Sequence, residues 1–200
     1  MTTRICGGQR INFVGVVEQD SWREEGWRIR GTREQAASDF AGWNSTITDC
    51  ISAADELYRW ALYDRAPLDK WSDGRVVLIG DAAHPMLPSM AQGAVQSIED
   101  AYCLASILNA HLNSRDRSSN GTFTGKNTDT SRIEMAFQQF FDQRIARTTR
   151  VQKLSANNMA LFHTRGRMKQ FARFEPARLA GKVAPRVLYR MNDWLYGKVF

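Results

Sequence analysis

Gly74-Arg-Val-Val-Leu-Ile-Gly80-Asp81-Ala82-Ala83-His84-Pro85-Met86-Leu87-Pro88-Ser89-Met90-Ala91-Gln92-Gly93-Ala94 is the stretch on which the reading of this chain turns. Val76 to Ile79 are four apolar residues between two glycines, the pattern of a strand buried on both faces, as in a parallel sheet. The strand stops at Gly80-Asp81. Pro85, Pro88 and Gly93 mark a stiff loop, and from Gly93 a helix is expected to about Leu112. In open α/β sheets, ligands bind where a strand ends and a helix N-terminus begins. Asp81 stands at that strand end. Gly93 lets a ligand come close to backbone N–H groups because it has no Cβ.

Several residues of the stretch carry a plain reading beside a chemical one. Taken alone, Asp81 suits a turn after a strand, a position Asp favours. His84 with Asp81 suggests a metal pair, but His111 and His163 are remote and no residues have ligand spacing. A packed or loop-bracing histidine is the simpler expectation. Glu99 and Asp100 suggest an acid and base pair, but they read more simply as acids in the first turns of the helix, favouring its positive end. No general base and no metal ligand are nominated.

The assembled string resembles one family: the FAD-dependent aromatic-ring monooxygenases of the para-hydroxybenzoate and salicylate hydroxylase type. Their second flavin motif is Gly-Asp-Ala-Ala-His, then a proline and a glycine at fixed distances, then Glu-Asp-Ala. Here those are Gly80 to His84, Pro88, Gly93 and Glu99-Asp100-Ala101. The resemblance implies that Gly80 and Asp81 form the FAD-binding turn, with the Asp81 side chain on the ribityl chain. It implies that Gly93 and Ala94 meet the flavin ring through their backbone, and that Pro88 lies beside the flavin, facing substrate. Ala91 departs from the pattern, since many members have glycine there.

Further blocks extend the resemblance over residues of about 10–112. They are Asn12-Phe13-Val14-Gly15, Phe40-Ala41-Gly42-Trp43 and Asp64-Arg65-Ala66-Pro67-Leu68-Asp69-Lys70-Trp71. Read from the residues themselves, Ile11 to Val17 and Leu57 to Tyr63 are strands. Trp22 to Arg30 would pair with the first or run as an irregular edge. Thr32 to Gln35 has capping-box spacing and opens a helix, and Thr46 to Ala54 is a second one. By the resemblance, these early strands belong to a substrate-domain sheet.

After Gly93, the helix places Ala94, Ile98, Ala101, Ala105 and Leu108 on one stripe, expected to pack on the sheet. Cys103 is expected in the core. Asn113 to Thr130 is polar and reads as a linker. Helical spacing returns from Arg132 to about Phe162, where Arg144, Arg147 and Val151-Gln152 resemble an Arg-rich helix of the family. Met168 to Ala180 is a further helix, expected to break or kink at Pro176. Trp194-Leu195-Tyr196-Gly197 matches a short signature near the family's C-terminus.

Composition excludes several classes. With 43% apolar and 24% charged residues, the chain reads as an ordinary globular protein. It has no apolar run of membrane-span length, and residues 1–10 have no apolar core of a secretory signal. Three cysteines without a CxxC pair suit a reducing, cytoplasmic setting. Net charge is +6, with residues 131–200 holding 14 Lys/Arg against 4 Asp/Glu. The arginines are spaced along helices and no nucleic-acid module is present, so a solvated or partner-facing surface is expected.

The family's first flavin motif, G-x-G-x-x-G, holds the FAD pyrophosphate. This sequence has no such string. The expectation is therefore an α/β (α+β) C-terminal portion. It would hold a partial substrate-domain sheet over 1–68, the last strand and Gly-Asp motif of the FAD-binding parallel sheet over 69–112, a linker over 113–130 and a helical region over 131–200. The implied activity is hydroxylation of a phenolic or aromatic-acid substrate with FAD, NAD(P)H and O₂. The alternative is a non-catalytic remnant or split subunit that needs an N-terminal partner half, or a second copy, to bind FAD.

Overall fold

The computed structural model describes residues 1–19, 26, 28–113 and 127–197. Backbone contacts divide the chain into two units, Met1–Tyr63 and Asp64–Phe200.

In the first unit, β1 (Thr2–Ile5) and β2 (Arg10–Phe13) form an antiparallel pair, with Thr2 opposite Phe13 and Ile5 opposite Arg10. Met1 and Val14 exchange two further backbone bonds, so the strand expected from Ile11 to Val17 pairs as far as Val14. β3 (Ile29–Arg30) pairs with β4 (Tyr58–Arg59), a short remnant of the strand expected over Leu57 to Tyr63. Most of the expected Trp22 to Arg30 segment lies outside the described residues. Between β3 and β4 the chain forms α1 (Arg33–Asp39) and α2 (Ser45–Ser52). Thr32 closes the capping box: its hydroxyl accepts from the Gln35 N–H at 3.2 Å, and the Gln35 side chain accepts from the Thr32 N–H at 3.4 Å. Asn44 caps α2 through the Thr46 N–H at 2.9 Å. Such caps are each worth about 1 kcal/mol. Phe40 is buried between Phe13 and Trp43, with edge-on rings 5.4 and 5.3 Å away.

The second unit is helical. α3 (Gly93–Asn113) lies antiparallel against α4 (Asn127–Phe162), with contacts running from Gln96–Arg144 to His111–Gln139. Asn127 to Thr130, read from sequence as the end of a linker, belong to α4; 114–126 lie outside the described residues. α5 (Arg167–Val183) runs through Pro176 as one helix, followed by α6 (Pro185–Met191) and α7 (Asp193–Tyr196). The core holds Trp71, Ala83, Cys103, Ile107, Ala136 and Phe140. Trp71 is its centre, with Phe140 and Phe141 rings both 5.5 Å away and His84 at 5.1 Å.

Two expectations about the opening stretch change. Val76–Val77 is a strand (β6), but it pairs antiparallel with Ser72–Asp73 (β5) across the turn at Gly74. Among the described residues all pairing is antiparallel, and Val76, Leu78 and Ile79 are exposed rather than buried. The α3 stripe also turns over. Ala94, Ile98, Ala101 and Ala105 are exposed and only Leu108 of the stripe packs on the core, while Gln96, Glu99, Asp100, Cys103 and Ile107 are buried. The physical reason is that α4 covers the polar side of the helix and satisfies it.

Candidate functional site

The site is built where β6 gives way to α3. Gly80 takes a left-handed backbone, φ 58°, and opens a single 3-10 turn, Gly80–Ala82. A Cβ on Gly80 would lie 2.6 Å from Ser97 Oγ, so only glycine lets this turn sit on α3. The turn leaves the next side chain, Asp81, exposed, with no hydrogen bond or ion pair among the described residues. A Cβ added at Gly93 would be 3.6 Å from Asp81 Oδ1. The carboxylate is thus beside the start of α3. The Gln96 N–H bonds back to Gln92 O at 2.9 Å, and the amides of Gly93, Ala94 and Val95 precede the first intrahelical bond. An acceptor-only carboxylate therefore lies beside helix-start N–H donors that make no intrahelical bond, on a surface where Asp81 and Ala94 are exposed.

Behind that surface lies a buried ionic network. Asp100 is fully buried; its Oδ2 accepts from the Gly80 N–H at 2.9 Å and from His84 Nε2 at 2.6 Å, and its Oδ1 accepts from Arg144 Nε at 2.7 Å. Glu99 accepts from Arg144 Nη1 at 2.7 Å and twice from Arg147, at 2.8 Å each. Burial alone would raise both carboxyl groups. For Asp100 the bonds from His84, Gly80 N–H and Arg144 outweigh it, and for Glu99 those from Arg147 and Arg144 do, so both titrate below the ordinary range. Two guanidiniums thus offset two carboxylates in a dry place, each with its hydrogen bonds made. His84 is loop-bracing: it is buried between Trp71 and Asp100. Glu99 and Asp100 lie in the second turn of α3, which begins at Gly93, and they are taken up by buried ion pairs with Arg144 rather than left to the helix's positive end. They face α4 because the arginines there can pair with them.

α4 also carries the rest of the loop. Gln152 Nε2 donates to Pro85 O at 3.0 Å, Ser89 Oγ donates to Ser155 O at 2.6 Å, and Asn158 Nδ2 meets the Met90 sulfur. Arg144, Thr148, Gln152 and Ser155 form one buried polar face at helical spacing. The loop from Gly80 to Met90 is laid along it. Pro88 opens a second 3-10 turn, Pro88–Met90, closed by the Ala91 N–H on Pro88 O at 3.1 Å. Ala91 itself is left-handed, φ 52°, which accounts for the preference for glycine at this place.

The structure therefore brings Asp81 and Gly93 together, sets Ala94 exposed in the first turn of α3, and places Gly80 as the buried pivot. Pro88 is exposed and is positioned separately, through its turn against α4. Arg144, Arg147, Gln152, Ser155 and Trp71 were not candidate site residues in the sequence. The available signal was a Glu-Asp pair in mid-helix and two arginines three residues apart on the next helix, a charge match that needs a partner across the fold. Among the described residues no group of His, Cys, Asp and Glu could hold a metal ion, and no helix is long and apolar enough to cross a membrane.

Residues 10–132 match the family model described as FAD binding domain. A 3-hydroxybenzoate 6-hydroxylase from Aquipseudomonas alcaligenes is 35% identical over 194 residues, covering 96% of this chain and 43% of that protein. A 3-amino-4-hydroxybenzoate 2-monooxygenase from Streptomyces platensis is 47% identical over 100 residues, half of this chain and 25% of that protein. Among solved structures, a salicylate hydroxylase substrate complex superposes with a TM-score of 0.67 at 26% identity, covering 98% of this chain and 44% of that one. The chain spans less than half the length of these relatives. With its Gly80–Asp81 turn set against the start of α3, the chain belongs to the FAD-binding domain family, whose members matched here are flavin-dependent aromatic-ring monooxygenases.

Proposed function

We propose that this chain supplies one side of the FAD site of a monooxygenase that hydroxylates a phenolic or aromatic-acid substrate with NAD(P)H and O₂. The observation that carries the reading is Asp81: an exposed carboxylate beside Gly93, without a partner among the described residues, on a turn whose reverse side is locked into a buried network. That arrangement fits a polyhydroxy chain and a ring edge. The carboxylate would accept from ribityl hydroxyls, and the open amides at Gly93 and Ala94 would donate to a ring carbonyl. The bound flavin supplies the redox chemistry with oxygen. The chain's own residues bind, orient and exclude water. Gly80 fixes the turn, Asp81 and Gly93-Ala94 contact the cofactor, and Pro88 borders the substrate side. No proton-transfer residue is assigned to this half.

A second reading is favoured by the outer face of α3. Val95, Ile98 and Tyr102 are exposed at 41, 70 and 58%, and Val76, Leu78 and Ile79 are exposed as well. Such a face suits coverage by further polypeptide, either a half carrying the pyrophosphate-binding glycines or a second copy. In this reading the chain alone is non-catalytic.

Flavin absorbance and an FAD titration of the chain test both. Micromolar binding lost by a factor of about 100 in Asp81→Ala supports the first reading, this loss being the size expected for a charged hydrogen-bond partner. Binding only after addition of a separately expressed G-x-G-x-x-G half supports the second. Equal binding by wild type and Asp81→Ala would overturn the site assignment.

A further inference from the structure

The Arg147 guanidinium is placed between two segments that are far apart in sequence. Toward α3, its Nε and Nη2 donate to the two oxygens of Glu99, at 2.8 Å each. Toward the C-terminus, Nη1 donates to Trp194 O, and Nη2 also donates to Leu195 O at 3.0 Å. Those carbonyls belong to α7, a helix of four residues, which cannot bond its last carbonyls internally. A cation at that end is what they favour. Leu195 is buried, and the Arg150 guanidinium stacks 3.7 Å from the Trp194 ring centroid. The C-terminal turn is thus held on α4 by Arg147, Arg150 and one buried leucine.

From Glu99 the bonds continue without a gap. Glu99 Oε2 is shared by Arg147 and Arg144; Arg144 Nε reaches Asp100 Oδ1; Asp100 Oδ2 accepts the Gly80 N–H. Every member is buried or nearly so, and every link is charge-assisted, so a change at one end is poorly screened at the other. We propose that Arg147 is a positioning residue that couples docking of the C-terminal turn Asp193–Tyr196 to the order of the Gly80–Asp81 turn. Its role in flavin binding rests on the function proposed above; the coupling itself does not. With the tail docked, Arg147 has acceptors on both sides and is held against Glu99. With the tail away, two of its N–H groups turn to water, Glu99 is shared less firmly, and Arg144 and Asp100 hold Gly80 less well. Because linkage is reciprocal, a ligand that orders the turn also tightens the tail.

Site-resolved hydrogen exchange on the FAD-free chain tests this. The probe is the Gly80 amide, with the Phe140 amide in the α4 core as reference. In a chain ended after Asn192, and in Arg147→Met, Gly80 should exchange about ten-fold faster while Phe140 is unchanged, a factor in the usual range for coupled sites. Ending the chain should add nothing further in the Arg147→Met background, since both changes cut the same link. A merely structural arginine would loosen Gly80 and Phe140 together, and its effect would add to that of the shortened chain. Either of those results overturns the proposal, as does a Gly80 rate unaffected by loss of the tail. If Arg147→Met does not fold, the shortened chain alone decides, with Arg147 intact. Because no flavin is present, failure of the FAD titration leaves this measurement standing.

Discussion

The two faces of α3 invert the usual relation between polarity and burial. The face toward α4 carries Gln96, Glu99 and Asp100 and is buried; the opposite face carries Val95, Ile98 and Tyr102 and is exposed. Charges go inside here because Arg144, Arg147, His84 and the Gly80 N–H together satisfy both carboxylates. The apolar face is left exposed at Val95 and Ile98. The comparison teaches that a helix is oriented by what each face can find as a partner. Over the first turns of α3 hydrophobicity alone points the wrong way; further along, Cys103 and Ile107 are buried in the core.

The strongest way to break the comparison is to remove the countercharge. Arg144→Met leaves Asp100 and Glu99 short of a partner in a dry site, and should cost about 3–5 kcal/mol of stability in a denaturant titration. A cost below about 1 kcal/mol, the level of an exposed pair, would mean that the inner face is hydrated.

Acid is the next lever. Both carboxyls are held below their ordinary values, 3.8 for Asp100 and 4.5 for Glu99. A lowered folded value means that the unfolded chain binds the proton first. Their contribution is therefore fully present above those ordinary values and is lost as pH falls through the lowered ones. The urea midpoint should decline as pH is taken below 4.5 and through 3.8, and decline less steeply in Arg144→Met.

A smaller effect is expected at the loop that the inner face supports. Ala91 is left-handed with φ 52°, a conformation costing an L-residue about 1–2 kcal/mol. Ala91→Gly should recover about 1 kcal/mol of that, measured as a rise in the denaturation midpoint. The smallest effect belongs to the outer face. Ile98 is 70% exposed, so Ile98→Lys should change the stability of the isolated chain by no more than about 0.5 kcal/mol. The same change should abolish association with a covering half, which sharpens the contrast between the faces. A loss above about 2 kcal/mol in the isolated chain would show that the face is already buried, as in a core.

Local features were legible in the residues. The Thr32 capping box, the start of α3 at Gly93, the helix through Phe162 and the buried Cys103 follow from rules that act over a few positions. The expected Gly80 turn is present, with Asp81 beside Gly93. Pairing was not legible. Val76–Val77 has the composition of a buried parallel strand, yet it pairs back across Gly74 and leaves Leu78 exposed, since the described chain offers no parallel neighbour. Trp71 looked like part of an approach segment and is the centre of the core.

By itself, the sequence determined the family and the local geometry: a glycine where φ must be positive, an acid at the turn, a capped helix, and a motif string long enough to be specific. Those depend on neighbours within about one helical turn, so the order of residues contains them. Only the tertiary structure decided which face of α3 is inside, that Arg144 and Arg147 neutralise Glu99 and Asp100, and that the tail at Trp194 reaches the same network. Each of these joins residues more than 40 positions apart. Burying a charge is favourable only when its partner is present, and the partner's position is a property of the fold.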